Sequence, residues 1–154
     1  ILFDALRKDS SLAAYDTILL DCPPSLGAVT LNALIGAHFL IIPTQAEFFS
    51  LNALRAMLGS VRQVRSKQNP GLAYRILITM IDRRNRIHRN LSEQIRATFG
   101  AGLFNTTIET DTKLRETSAA GLPITHYIPN SRSALQYDAL AEELIQHAPK
   151  SAKH

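Results

Sequence analysis

Tryptophan is absent, cysteine occurs once, and aromatic residues make up only 6% of the 154 positions. The lone Cys22 excludes an internal disulfide, which fits a reducing compartment. No histidine lies near it in sequence to support a thiolate nucleophile, so a small loop residue is the simpler role. No apolar run approaches the roughly 18 residues of a membrane-spanning helix. The opening Ile1-Leu2-Phe3 is followed at once by Asp4, Arg7, Lys8 and Asp9, so it has no apolar centre of a secretory signal. His38, His88, His126, His147 and His154 are scattered without metal-ligand spacing. Ser25 has neither a Gly-x-Ser-x-Gly setting nor a histidine partner, which argues against serine hydrolysis.

What remains, at 45% hydrophobic and 19% charged, is one globular domain long enough to bury a core. That domain is expected over residues 1–148, with a polar, disordered tail at 149–154. Short apolar runs at Thr17–Leu20, Phe39–Ile42, Arg75–Ile81 and Leu103–Ile108 read as strands. Between them lie helical patterns at about 1–14, 26–36, 48–67, 91–99 and 112–120, with a last helix starting at Ser131 or Ser133. The clearest is the helix over 48–67, where Leu51, Leu54, Leu58, Val61 and Val64 recur at helical spacing. The last helix is expected to pack through Tyr137, Leu140, Ala141, Leu144 and Ile145, with Glu142 and Glu143 at its surface. Strands alternating with helices imply a parallel sheet with right-handed crossovers.

Thr17–Leu20 runs into Asp21 and then into Pro23 and Pro24, which cannot continue a central strand. Ligands of open α/β sheets sit beyond the carboxyl ends of the strands. A carboxylate there can organise a nucleotide-bound magnesium, directly or through water; a strand-terminal Asp can equally cap the next helix. Charge gives a second signal. Residues 61–96 hold Arg62, Arg65, Lys67, Arg75, Arg83, Arg84, Arg86, Arg89 and Arg96 against only Asp82 and Glu93, a net +7 in a chain of net +4. Localised basic charge is the footprint of phosphate-backbone binding, and scarce aromatics argue against stacking on single strands. The expected contacts with duplex DNA are Arg62, Arg65, Lys67, Arg83, Arg84, Arg86 and Arg89; the alternative is a solvated basic face.

Residues 15–27, Tyr-Asp-Thr-Ile-Leu-Leu-Asp-Cys-Pro-Pro-Ser-Leu-Gly, resemble the Walker B and switch II segment of the ParA/MinD family of deviant Walker-type ATPases. Ile42-Pro43-Thr44-Gln45-Ala46-Glu47, Ile78-Thr79-Met80-Ile81-Asp82, Phe104-Asn105-Thr106-Thr107-Ile108, Leu114-Arg115-Glu116 with Gly121-Leu122-Pro123-Ile124, and Tyr137 to Glu143 resemble later family blocks, in order. The resemblance implies a P-loop NTPase-like α/β fold, a parallel sheet flanked by helices. No Gly-x-x-x-x-Gly-Lys-Ser/Thr stretch occurs, so the chain reads as the C-terminal part of such a domain, lacking its N-terminal βα units and, alone, unable to hydrolyse ATP. By the same resemblance ATP and Mg2+ are the cofactors and Asp21 the catalytic and metal-organising acid, acting through water. Pro23 and Pro24 belong to the γ-phosphate switch, and Thr79, Met80, Asp82, Ile108 and Glu109 to the base-binding loops. Met80 fits core packing as well, and Asp82 with Arg83 and Arg84 fits a salt-linked loop end. Family members commonly carry proline after the residue matched by Ile108, whereas this chain has Glu109.

The implied function is segregation of chromosome or plasmid DNA by an ATP-dependent homodimer that binds duplex DNA nonspecifically. Its implied partner is a ParB-like protein and its setting the cytoplasm, on the nucleoid, without membrane attachment. A MinD-like positioning ATPase is an alternative, but residues 138–148 are acidic where a membrane-surface helix would be basic. An amidoligase of the cobyrinate-diamide-synthase type is another, though no convincing set of substrate-binding carboxylates is present.

Overall fold

In the computed structural model, which describes residues 2–23 and 25–147, the helical spacing over 48–67 becomes a 20-residue helix with the expected limits. Seven α-helices form among the described residues: α1 (Leu2–Lys8), α2 (Ala28–Gly36), α3 (Phe48–Lys67), α4 (Arg86–Phe99), α5 (Lys113–Ala120), α6 (Ile124–Tyr127) and α7 (Arg132–His147). Three strands accompany them, β1 (Phe39–Gln45), β2 (Ala73–Ile81) and β3 (Leu103–Glu109), in one parallel sheet of order β1-β2-β3. The expected tail lies outside the described residues, as does Pro24.

The described residues of 1–40 and 55–73 make one compact unit, and those of 41–54 and 74–154 a second. In the first, Ala33 and Leu34 of α2 are buried, as are Leu58, Val61 and Val64 of α3 and Leu72. Asn69, in the turn after α3, donates its side-chain amide to the carbonyls of Leu34 (3.0 Å) and Ala37 (2.8 Å). It thereby satisfies acceptors that the end of α2 leaves without helical partners. In the second unit β2 is the middle strand, and Ile76, Leu77 and Ile78 are consecutively buried, as a strand covered on both faces requires.

The expected strand at Thr17–Leu20 does not form. The segment is irregular, with Ile18 and Leu19 exposed at 44% and 80%. A strand is a property of a pair, and no strand among the described residues offers this run a hydrogen-bonding ladder. Asp21 therefore ends no strand here, and its side chain is exposed. Pro43 does not stop β1, which continues to Gln45. Lying at the end of the strand order, β1 has an open edge where a residue without an N–H is tolerated.

Three helices differ from their sequence patterns. The pattern at about 1–14 gives α1 only as far as Lys8, because Asp9 is extended and caps a separate 3-10 helix at Ser10–Ala14. The α4 helix starts at Arg86 rather than near Leu91, because Asn85 is extended and its Oδ1 accepts the Ile87 amide at 2.9 Å. Arg86 and Arg89 are thus helical, not loop, residues. The α7 helix turns a different face inward. Ser133, Ala134 and Glu143 are buried, while Tyr137 and Ile145 of the expected packing stripe are exposed. Its start is as expected, with Ser131 Oγ capping the Ala134 amide at 3.2 Å.

The sheet register is irregular on both sides of Ile78. Ile76 pairs with Leu103 and Ile78 with Thr107, so β3 carries two extra residues there; Ile81 then pairs with Glu109, leaving β2 one extra residue. Bulges of this kind re-aim side chains at sheet ends.

Candidate nucleotide and nucleic-acid site

In the first unit, the segment bearing Asp21 is tied down from α2. Thr30, itself buried, donates its hydroxyl to the carbonyl of Ser25 at 2.6 Å and lies 3.4 Å from that of Pro23. The Asp21 carboxylate has no hydrogen bond or ion pair among the described residues. A single exposed carboxylate suits a magnesium held chiefly by phosphates and water, as nucleotide-bound magnesium is. No group of three or more His, Cys, Asp or Glu among the described residues could form a protein cage for a metal. Arg62, Arg65 and Lys67 project from α3 of this unit and are exposed.

The second unit carries the carboxyl ends of all three strands. Met80 lies in the stretch of β2 between Ile78 and Ile81 that carries the extra residue, and it sits at φ 54°, a left-handed conformation uncommon for a side-chain-bearing residue. Held backbone strain of this kind collects at ligand sites. Its side chain is half exposed and its sulfur lies 3.1 Å from Gln45 Nε2 at the end of β1. Met80 is therefore not a core residue. Thr79 is half-buried, and the side chains of Ile108 and Glu109 point inward at 4% and 6% exposure. What the turn after β3 offers a ligand is chiefly backbone.

Asp82 closes on its own loop. Its carboxylate accepts the Arg84 amide at 2.9 Å and both ends of the Arg84 guanidinium at 3.1 Å, while its amide donates to His88 Nδ1 at 3.1 Å. The Arg84 side chain, and then the Arg84 amide, hold the Asp82 carboxyl below its ordinary value. The salt-linked loop end that the sequence suggested for Asp82 therefore forms.

Glu109 is the centre of a network. Arg83 Nε lies 2.7 Å from its Oε1 and Arg132 Nη1 3.0 Å from its Oε2. Gln136 donates to Oε1 at 3.1 Å and accepts the Glu109 amide at 3.0 Å. A proline in this position would supply neither the charge nor the amide. Next to it, Asp111 accepts the Ser133 hydroxyl at 2.7 Å and the Lys113 amide at 3.0 Å; that hydroxyl foremost, then the amide, lowers its pKa.

The nine basic residues of 61–96 divide by role. Arg75 donates to the carbonyls of Ala101 and Leu103, and Arg96 to those of Phe104 and Asn105, so both brace the fold. Arg83, Arg84, Arg86 and Arg89 are exposed along the end of β2 and the first turn of α4. Arg132, Gln136 and Glu143 were not foreseen from sequence. Glu143 accepts the amides of Asn105 (2.6 Å) and Thr106 (2.9 Å), which the bulge in β3 turns out of the ladder. Ser133, Gln136, Leu140, Glu143 and His147 recur at helical spacing, but this stripe is mostly polar, and hydrophobic periodicity marks only apolar ones.

A family model described as an AAA domain matches residues 1–74. The chromosome-partitioning ATPase Soj of Treponema pallidum is 41% identical over 132 residues, 85% of this chain and 52% of that protein. Soj of Thermus thermophilus is 39% identical over 142 residues, 92% of this chain and 57% of that protein. Among solved structures, cobyrinic acid a,c-diamide synthase from Mycobacterium smegmatis, with a bound ATP analog and magnesium, aligns at TM-score 0.75 and 27% identity. That alignment covers 98% of this chain and 57% of the synthase. The chain spans about half the length of the curated relatives it matches. With the ordered blocks from Tyr15 to Glu143 and a parallel sheet flanked by helices, the chain is similar over most of its length to the Soj chromosome-partitioning ATPases.

Proposed function

We infer that this chain contributes to a ParA-like ATPase that segregates chromosome or plasmid DNA. In this reading ATP with magnesium drives dimerisation of the protein, and the dimer binds duplex DNA without sequence preference. The observation that carries it is the grouping in one unit of the three strand ends, the strained and exposed Met80, and the exposed arginines at 83, 84, 86 and 89. A nucleotide base has a flat apolar face and a polar edge, which suit Met80 and the backbone of the turns at Thr79–Asp82 and Ile108–Glu109. Asp21 acts on the magnesium through water, and the Pro23–Pro24 segment responds to the γ-phosphate. A ParB-like protein is the partner that stimulates hydrolysis, and the cytoplasm, on the nucleoid, is the setting. No helix among the described residues is long and apolar enough to cross a membrane.

The test is binding of the intact gene product that carries these residues to unrelated duplexes, with and without ATP and magnesium, over a salt titration. The expected result is the same affinity for each sequence and a steep fall with salt; sequence preference or no binding would reject the reading. The chain has no phosphate loop of the Gly-x-x-x-x-Gly-Lys-Ser/Thr type. It is therefore expected to show no magnesium-dependent ATP turnover, since the amides and lysine that cradle the phosphates are not among its residues. Phosphate release above the no-protein rate would refute that expectation. The synthase likeness favours a second reading, an ATP-dependent amidoligase, which predicts no duplex binding at all.

A further inference from the structure

Glu109 is 6% exposed, yet two arginines from distant parts of the chain converge on it. Arg83 comes from the end of β2 and Arg132 from the first turn of α7, and their side chains are 71% and 55% exposed against 7% for the carboxylate between them. Arg83 is paired through Nε, which leaves its two terminal nitrogens outside that ion pair. Arg132 spends Nη1 on Glu109, and its Nη2 donates to the Thr110 carbonyl at 3.0 Å and lies 4.0 Å from Asp111 Oδ2. Both guanidiniums line one surface depression, together with Asn105, Thr107, Leu135 and Gln136. Glu109 and Asp111 balance the two arginines, so what the cluster offers a phosphate is directed donors, the terminal nitrogens of Arg83 and Nε of Arg132, and not net charge. The walls of the depression carry hydroxyl and amide groups, which bind phosphate oxygens without reading sequence.

We propose that Glu109 is a positioning residue for a two-arginine phosphate clamp, in which Arg83 and Arg132 grip the phosphodiester backbone of duplex DNA. This deepens the duplex-binding reading above and rests on it. It adds Arg132, which lies outside the basic segment 61–96, to the interface. A free arginine loses much rotamer entropy when it binds a phosphate. Here the buried carboxylate and Gln136 fix the spacing beforehand, and the planar guanidinium still presents a fork to an oxyanion.

Glu109→Gln tests this because two ideas predict opposite signs. The substitution removes one negative charge and raises the net charge of the chain from +4 to +5. Long-range electrostatics alone then gives tighter duplex binding and a steeper salt dependence. A clamp that loses its anchor gives weaker binding, with the salt slope smaller by about 1 to 2 as one or both arginines stop contacting phosphate. Arg132→Ala, which leaves Arg83 on the carboxylate, should reduce the slope by about 1 on any duplex. Thermal melts of each variant establish that it is folded, and Arg132→Ala alone decides the matter if Glu109→Gln is not. Weaker binding by Glu109→Gln with the expected slope for Arg132→Ala supports the clamp. Tighter binding by Glu109→Gln, or an unchanged slope for Arg132→Ala, overturns it while duplex binding stands. Failure of the unaltered intact protein, with ATP and magnesium, to bind any duplex overturns both.

Discussion

Replacing Glu143 by alanine is expected to destabilise the chain by about 3 kcal/mol, because it leaves two inward-turned amides without an acceptor. The carboxylate is 8% exposed, and it receives the Asn105 amide at 2.6 Å and the Thr106 amide at 2.9 Å. Those amides cannot return to the sheet ladder, since β3 has two more residues than β2 between the pairs Ile76–Leu103 and Ile78–Thr107. Glutamine in place of Glu143 keeps one good acceptor and should lose about half as much. Urea denaturation of the three proteins measures this, and equal midpoints for all three would refute it.

The same contact predicts a pH dependence. Burial by itself pushes the Glu143 carboxyl up, but the amides of Asn105 and Thr106 outweigh it, with help from the Thr106 hydroxyl and His147, so the group lies below its ordinary value. A depressed carboxylate favours the folded state at pH values above its unfolded pKa, about 4.3. As pH falls through the folded value, that contribution is lost. The stability gap between the wild type and Glu143→Ala should therefore be largest near neutrality and shrink in acid. A gap that stays constant down to about pH 3 would remove the charge from the explanation.

Exchange of Arg83, Arg84 and Arg86 together for alanine should weaken duplex binding equally across sequences. Each phosphate contact contributes about 0.9 to the slope of log affinity against log salt, so losing three lowers it by about 2.7. The advantage of the wild type over the variant should then narrow about 40-fold between 50 and 200 mM salt. The exchange at Arg84 has a further effect, since it releases an Asp82 carboxylate that now accepts both ends of that guanidinium. An unchanged salt slope would take the end of β2 and the start of α4 out of the interface.

Local chemistry made several elements legible in advance. The recurrence of Leu54, Leu58, Val61 and Val64 fixed α3 to its ends, because a helix closes its own hydrogen bonds and needs only one apolar stripe. The consecutive apolar residues of β2 gave the middle strand, and the density of arginine between 83 and 89 gave an exposed basic segment. Thr17–Leu20 was apolar enough for a strand but has no ladder among the described residues, and composition cannot report a missing neighbour. The inner face of α7 escaped for a related reason. Glu143 and Gln136 belong inside only because bulged amides of β3 await them there, 37 or 38 residues away for Glu143 and 27 for Gln136.

Sequence by itself determined the alternation of strands and helices, the family blocks and the localised positive charge, since each depends on residues close together in the chain. Tertiary structure alone decided that Met80 is strained and exposed, that Asp82 is spent on Arg84, and that Glu109 joins Arg83 to Arg132. Bulge register and buried ion pairs arise where separate segments meet. Their energies depend on distances that no local pattern encodes.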